Sequence, residues 1–182
     1  MSRVGKKPIL IPEGVQVKIE EGNRVFVKGP KGELFRSFPD FVKISPEDNQ
    51  VSLSLVDEKK ENKVFWGTSR AILNNMIKGV KEGFEKRMQI EGLGYKAVLS
   101  GNDLELFVGF SHSVKMAAPD GVKFSLEKNI IVVSGIDLEK VSLTASQIKK
   151  IKKPEPYKGA GIRYQGEQIR RKVGKKATTT TK

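Results

Sequence analysis

The 182-residue chain is written twice, and that duplication limits its fold more than any other feature. "PDFVKIS" at 39–45 returns as "PDGVKFS" at 119–125, an offset of 80. The same offset aligns Asn49 with Asn129, Val51 with Ile131 and Leu53 with Val133. Upstream, "EGN" (21–23) matches "SGN" (100–102); downstream, "TSRAI" (68–72) faces "TASQI" (144–148), with a few residues deleted between. Chance can produce any one of these matches, but hardly the ordered series. Ordered self-similarity means one structural unit built twice, the copies meeting near Gly83–Lys86.

Each copy has the same grammar. "VQVKI" (15–19) and "RVFVKG" (24–29) alternate apolar and polar residues around a turn, the pattern of a hairpin. "YKAVLSGNDLELFVG" (95–109) repeats it, with Leu104, Leu106 and Val108 on one face. Further strands are expected at "VSLSL" (51–55) and "NIIVVSG" (129–135). Each copy then changes to helical period. Phe65, Ser69, Ile72, Leu73, Met76, Ile77 and Val80 form one stripe, and Leu138, Val141, Ala145, Ile148 and Ile151 another. The expected fold class is α+β: two tandem copies of a small unit, each a mostly antiparallel sheet covered by one helix, plus a basic C-terminal extension. Residues 1–82 form the first repeat with a basic N-terminal arm, 83–151 the second, and 152–182 the extension. The apolar core residues lie upstream of 152, so removing the extension is expected to leave both units folded.

Charge separates these parts further. Of the net +13, residues 11–148 contribute nothing, holding 19 basic and 19 acidic residues. Arg3, Lys6 and Lys7 face no acidic residue in the first ten, and residues 149–182 hold 12 basic residues against Glu155 and Glu167. Excess confined to the two ends points to a polyanion bound there, with nucleic acid the leading partner. An anionic membrane surface would call for an apolar helical face, which the extension lacks. No apolar run approaches the length that spans a bilayer, and "ILI" (9–11) is too short for a signal-peptide core, so a soluble, unexported protein is expected. The absence of cysteine excludes disulfides, thiolate nucleophiles and thiolate zinc sites.

Catalysis finds no support in the residues. His112, the single histidine, stands in "GFSHSV" and cannot build a multi-histidine metal site; it either hydrogen-bonds locally in a loop or touches a partner. "KGPKG" (28–32) lacks the full phosphate-loop pattern, and "GLGY" (92–95) and "GAGIR" (159–163) are fragments of a dinucleotide fingerprint outside any βαβ unit. No catalytic residue, metal, cofactor or small-molecule substrate is expected.

The extension has a chemistry of its own. Pro154 and Pro156 stop the second helix, and the lysines of its last turn complement the helix dipole. Beyond them Tyr157 and Tyr164 flank "KGAGIR", where Gly159 and Gly161 permit turns and close approach. The tyrosines can stack on an unpaired base or pack back onto the second unit. Arg163, Arg170 and Arg171 can grip phosphate in bidentate fashion, while Lys172, Lys175 and Lys176 act as mobile point charges. Such a composition suits folded RNA better than regular duplex DNA.

"MSRVGKKPI", "VKGPKGEL", "GFSH" and above all "KPEPYKGAGIRY" followed by "IRRKVGKK" resemble the family of the sixth protein of the large ribosomal subunit in its bacterial form. The likeness runs in order over nearly the whole chain. It implies a non-enzymatic, cytoplasmic protein of two similar α+β domains, binding 23S ribosomal RNA chiefly through the second domain and extension. It implies a place near the stalk base and the sarcin–ricin loop, beside neighbouring large-subunit proteins. The matching positions are Lys153, Pro154, Tyr157, Lys158, Gly159, Gly161, Arg163, Tyr164, Arg170, Arg171 and Lys172. Lys152, Lys175 and Lys176 join them by charge, with Arg3, Lys6, Lys7 and His112 as secondary contacts. The family usually has lysine at Ala160 and proline at Ser113, which leaves a phosphate contact at Ala160 in doubt and loosens the loop at His112. An architectural nucleic-acid binder outside the ribosome is the second reading, and whether the first repeat meets RNA or protein stays open.

Overall fold

The computed structural model describes residues 3–47, 49–57, 59–172 and 174. Contacts divide the chain into two units. One runs to Phe84 and takes in Gly135–Lys140; the other holds Glu85–Ser134 and the chain from Val141 onward.

The first unit begins with β1 (Ile9–Leu10), β2 (Gln16–Glu20), β3 (Arg24–Gly29) and β4 (Gly32–Ser37), and continues with β5 (Val42–Glu47), β6 (Gln50–Leu55) and α1 (Lys60–Lys81). The strands form two small sheets, ordered β2-β3-β4 and β1-β6-β5. Period-two alternation sends Val25, Val27, Val42 and Val51 fully inward, each burial worth about 1.5–3 kcal/mol. Helix α1 covers both sheets with Ser69, Leu73, Met76, Ile77 and Val80. The stripe expected on α1 is shorter than its sequence period, because Phe65 is 51% exposed and meets Phe41 edge-on at 5.7 Å instead of entering the core. The neighbouring Trp66 takes the place against the core instead, its indole N–H donating to the Leu53 carbonyl of β6 at 2.9 Å.

The second unit repeats this plan with β7 (Phe84–Glu91), β8 (Lys96–Ser100), β9 (Asp103–Phe107), β10 (Val114–Met116), β11 (Val122–Glu127), β12 (Ile130–Gly135) and α2 (Leu138–Ile151). Sheet β8-β9-β10 corresponds to β2-β3-β4, and β7-β12-β11 to β1-β6-β5. Individual hydrogen bonds recur. The Val42 amide donates to Pro39 and that of Val122 to Pro119, both at 3.0 Å; Ile11 donates to Asn49 and Ile90 to Asn129, both at 2.9 Å. Val141, Ala145 and Ile148 on one stripe of α2 are fully buried, as are Leu104, Leu106, Ile131 and Val133 on the strands.

One expectation is corrected here. The second unit has a strand with no counterpart among the described residues of the first: β13 (Gly161–Tyr164) pairs antiparallel with the outer edge of β7, Ile162 opposite Ile90. Ile162 is fully buried. The stretch expected to lie outside both cores therefore completes one of them, and removing residues 152–182 would take a strand from the sheet. Four residues among glycines and cations show no alternation, so only pairing with β7 makes them a strand.

Candidate nucleic-acid interface

The turn from α2 into β13 is built on backbone contacts. The Ile162 amide donates to the Lys152 carbonyl at 2.8 Å, folding the chain back on itself. Between them Glu155 donates to Ala160 at 2.9 Å and Gly159 to Glu155 at 3.0 Å, closing a small loop that carries Tyr157 and Lys158 outward. The close approach at its end requires Gly161, where a β-carbon would lie 2.6 Å from Pro154 Cα and φ is +150°. Gly161→Ala is expected to destabilise the second unit by at least the ~1–3 kcal/mol of a strained backbone, read as a lower melting temperature; an unchanged melting temperature would contradict this account of the turn.

After β13 the chain returns to the same place. The Lys172 amide donates to the Pro156 carbonyl at 2.8 Å, and the Arg171 guanidinium lies over Gly159, its Nη2 3.1 Å from where a β-carbon would stand. Lys153, Lys158, Arg170, Arg171 and Lys172 are all exposed, as is Tyr157 at 54%. Five cations and an aromatic ring thus share a small stretch of surface, held by backbone bonds.

Two expected contact residues are engaged internally. Arg163 is mostly buried, and its Nη2 donates to Glu91 on β7, so a bidentate phosphate grip would have to break this pair. Tyr164 lies under the Lys149 ammonium, 4.8 Å from the ring centre. Lys149 in turn donates to both oxygens of Glu167, at 2.5 and 2.7 Å, and the Tyr164 amide donates to Glu167 at 3.0 Å. Of the two tyrosines, the second packs on the protein and the first faces solvent. Arg163, Tyr164 and Gly161 fix the strand from which the neighbouring cations are presented.

The Lys149 hydrogen bond, then the Tyr164 amide and the positive charges of Lys149 and Arg163, hold the Glu167 carboxyl below its ordinary value against a smaller effect of burial. A carboxylate with a depressed folded pKa stabilises the fold above its unfolded value, about 4.3 for glutamate, and loses that contribution as pH falls through the folded pKa. Glu167→Gln should therefore lower the melting temperature near neutral pH, with the difference from the parent shrinking as pH falls from about 4.3 through the lower folded pKa; a difference independent of pH would show that the ion pair does not hold the strand.

A second group of residues meets this surface. Phe110 and His112, in the loop after β9, stack with centroids 6.1 Å apart and planes at 17°, and the Lys152 ammonium sits 4.8 Å over the Phe110 ring. His112 is exposed and Phe110 is 44% exposed. Tyr95 packs beneath both Gly92 and Gly109, joining this loop to the one after β7, whose tip presents a fully exposed Leu93. Because Gly161 is the register partner of Glu91, that tip follows directly beyond the start of β13. One end of the second unit therefore gathers an apolar tip, an aromatic stack and a cationic loop. Sequence reasoning missed Phe110 and Leu93. An aromatic next to "SH" and a leucine between two glycines were the available signals.

At the other end of the chain, Arg3, Lys6 and Lys7 are exposed on an arm tied to α1. Arg70 donates to the carbonyls of Lys7 and Pro8, at 3.2 and 3.4 Å, and Gly5 lies flat against the Trp66 ring. Lys175 and Lys176 lie outside the described residues.

A family model described as ribosomal protein L6 matches the chain twice, over residues 11–83 and 91–165. Similar proteins bear the name large ribosomal subunit protein uL6. That of Persephonella marina is 51% identical over 96% of this chain and 98% of its own length. The one from Nitratiruptor sp. is 48% identical over 97% and 99%, and that of Staphylococcus carnosus 51% over 96% and 98%.

Proposed function

This chain belongs to the ribosomal protein L6 family, and from that premise we propose that the cationic end of its second unit holds 23S ribosomal RNA near the stalk base and the sarcin–ricin region. It is a structural, non-catalytic constituent of the large ribosomal subunit in the cytoplasm. The observation that carries the RNA reading is the convergence of Lys153, Lys158, Arg170, Arg171 and Lys172 with the Phe110–His112 stack at one end of one unit. The cations neutralise phosphates where strands of folded RNA approach each other. Tyr157 and the Phe110–His112 pair offer ring faces to unpaired bases, each stack worth about 1–3 kcal/mol. Recognition is of shape, since nothing here enters a regular groove. Neighbouring proteins near the stalk base complete the environment.

The test is a salt series with the full-length chain and 23S ribosomal RNA. Affinity should fall linearly on a log–log plot, with a slope near −0.7 to −0.9 for each phosphate neutralised, hence about −3 to −5 for the five exposed cations. A flat response would remove charge as the main term and the proposal with it.

A further inference from the structure

The outward face of sheet β2-β3-β4 carries two rings that the fold itself does not require. Phe26 and Phe35 are register partners, stacked with centroids 5.9 Å apart and planes at 24°. Phe35 is 76% exposed and Phe26 36%. With Lys18, the register partner of Phe26 on β2, they form one row across the three strands.

The duplication supplies an internal control. In the second unit Glu105 lies between buried Leu104 and Leu106 as Phe26 lies between buried Val25 and Val27. Its outward row reads Val98, Glu105, Lys115, with the Ser113 hydroxyl donating to Glu105 at 2.6 Å. The same three-stranded sheet is thus built once with a charged pair and once with two phenylalanines. Sheet packing demands no aromatic at this position, and an exposed apolar patch rimmed by polar groups marks a contact surface.

The surrounding charges select the partner. Glu20 stands opposite Arg24 and Glu33 opposite Lys28, so opposite signs face each other across the strands. Lys18 alone among these outward charges has no register partner of opposite sign, facing Phe26 instead. A polyanion finds one uncompensated cation there, too few for phosphate-driven binding. An apolar side chain finds two rings, and a carboxylate finds Lys18. We propose that Phe26 and Phe35 seat an apolar side chain of another large-subunit protein, with a carboxylate of that protein beside Lys18. This rests on the family reading for the particle but not on the RNA surface of the second unit.

The test places photoreactive benzoylphenylalanine at position 35 of the full-length chain, incorporated into large ribosomal subunits that are purified and irradiated. The expected result is an adduct to one other subunit protein, at a peptide with an apolar residue close to a carboxylate. Adducts to RNA or to a second copy of this chain, or a yield no higher than with the same probe at position 115, would overturn the proposal. Failure of the parent chain to enter subunits would overturn the family reading as well. Borrowing the second unit's pair as F26E/F35K should leave the melting temperature within about 5 °C of the parent, while adduct yield from a probe at position 16, on the same face of β2 beside Lys18, falls about tenfold, the scale of a lost aromatic anchor. A variant that unfolds, or a yield that does not change, would defeat it.

Discussion

Replacing Arg170, Arg171 and Lys172 together by glutamine is expected to weaken binding of the free chain to 23S ribosomal RNA about a hundredfold to a thousandfold at moderate salt. All three side chains are exposed, and the bond that returns this segment to the loop, from Lys172 to Pro156, uses backbone atoms only. The substitution therefore removes charge and leaves the fold in place. The magnitude follows from counterion release, each neutralised phosphate being worth about tenfold near 0.1 M salt. The log–log salt slope should become shallower by about 2–3 in the same experiment. Unchanged affinity with an unchanged slope would mean that the RNA is held elsewhere.

The second large effect is on stability. A chain ending at Ile151 should lose the cooperative fold of its second unit, while one ending at Gln168 should keep it. The first truncation removes β13, exposes the edge of β7 and strips Ile162 from beside buried Met88 and Ile90. Ile162→Ala isolates the packing part of this loss, expected at about 2–5 kcal/mol. Amide exchange resolved by unit is the measurement, with β7, β9 and β12 losing protection and β3 and β6 retaining it. Full protection of β7 in the shorter chain would make the strand dispensable. The comparison also separates two properties that a single deletion of residues 152–182 would confuse, loss of RNA contact and loss of the unit that presents it.

The limits of a sequence reading are clearest at Arg163. Its pattern "GAGIRY" marks an ordered basic motif, and an arginine in such a motif reads as a phosphate ligand. Its partner Glu91 lies 72 residues earlier, so only the pairing of β13 with β7 reveals that the charge is already engaged. Tyr164 follows the same logic, because the Lys149 above it comes from a different element. Phe110 and Lys152 are likewise far apart in sequence and meet only because the chain folds back after α2. By contrast the hairpins and both helices were legible, because period two and period 3.6 are local properties of the chain. Phe65 continued the helical period and still missed the core, since period fixes a face but not which neighbouring side chain fills it, and here Trp66 packs on the core while Phe65 meets Phe41.

The sequence alone determined that one α+β unit occurs twice and that the excess charge lies at the two ends of the chain, because repeats, alternation and net charge are all written along the chain. Tertiary structure decided that the first part of the basic stretch is a strand of the second unit, and which cations remain exposed beside the Phe110–His112 stack. It also decided that the outward row of the first unit ends in two rings where the second has a charged pair. Those outcomes depend on which residues meet across a sheet, and register joins positions that no local pattern connects.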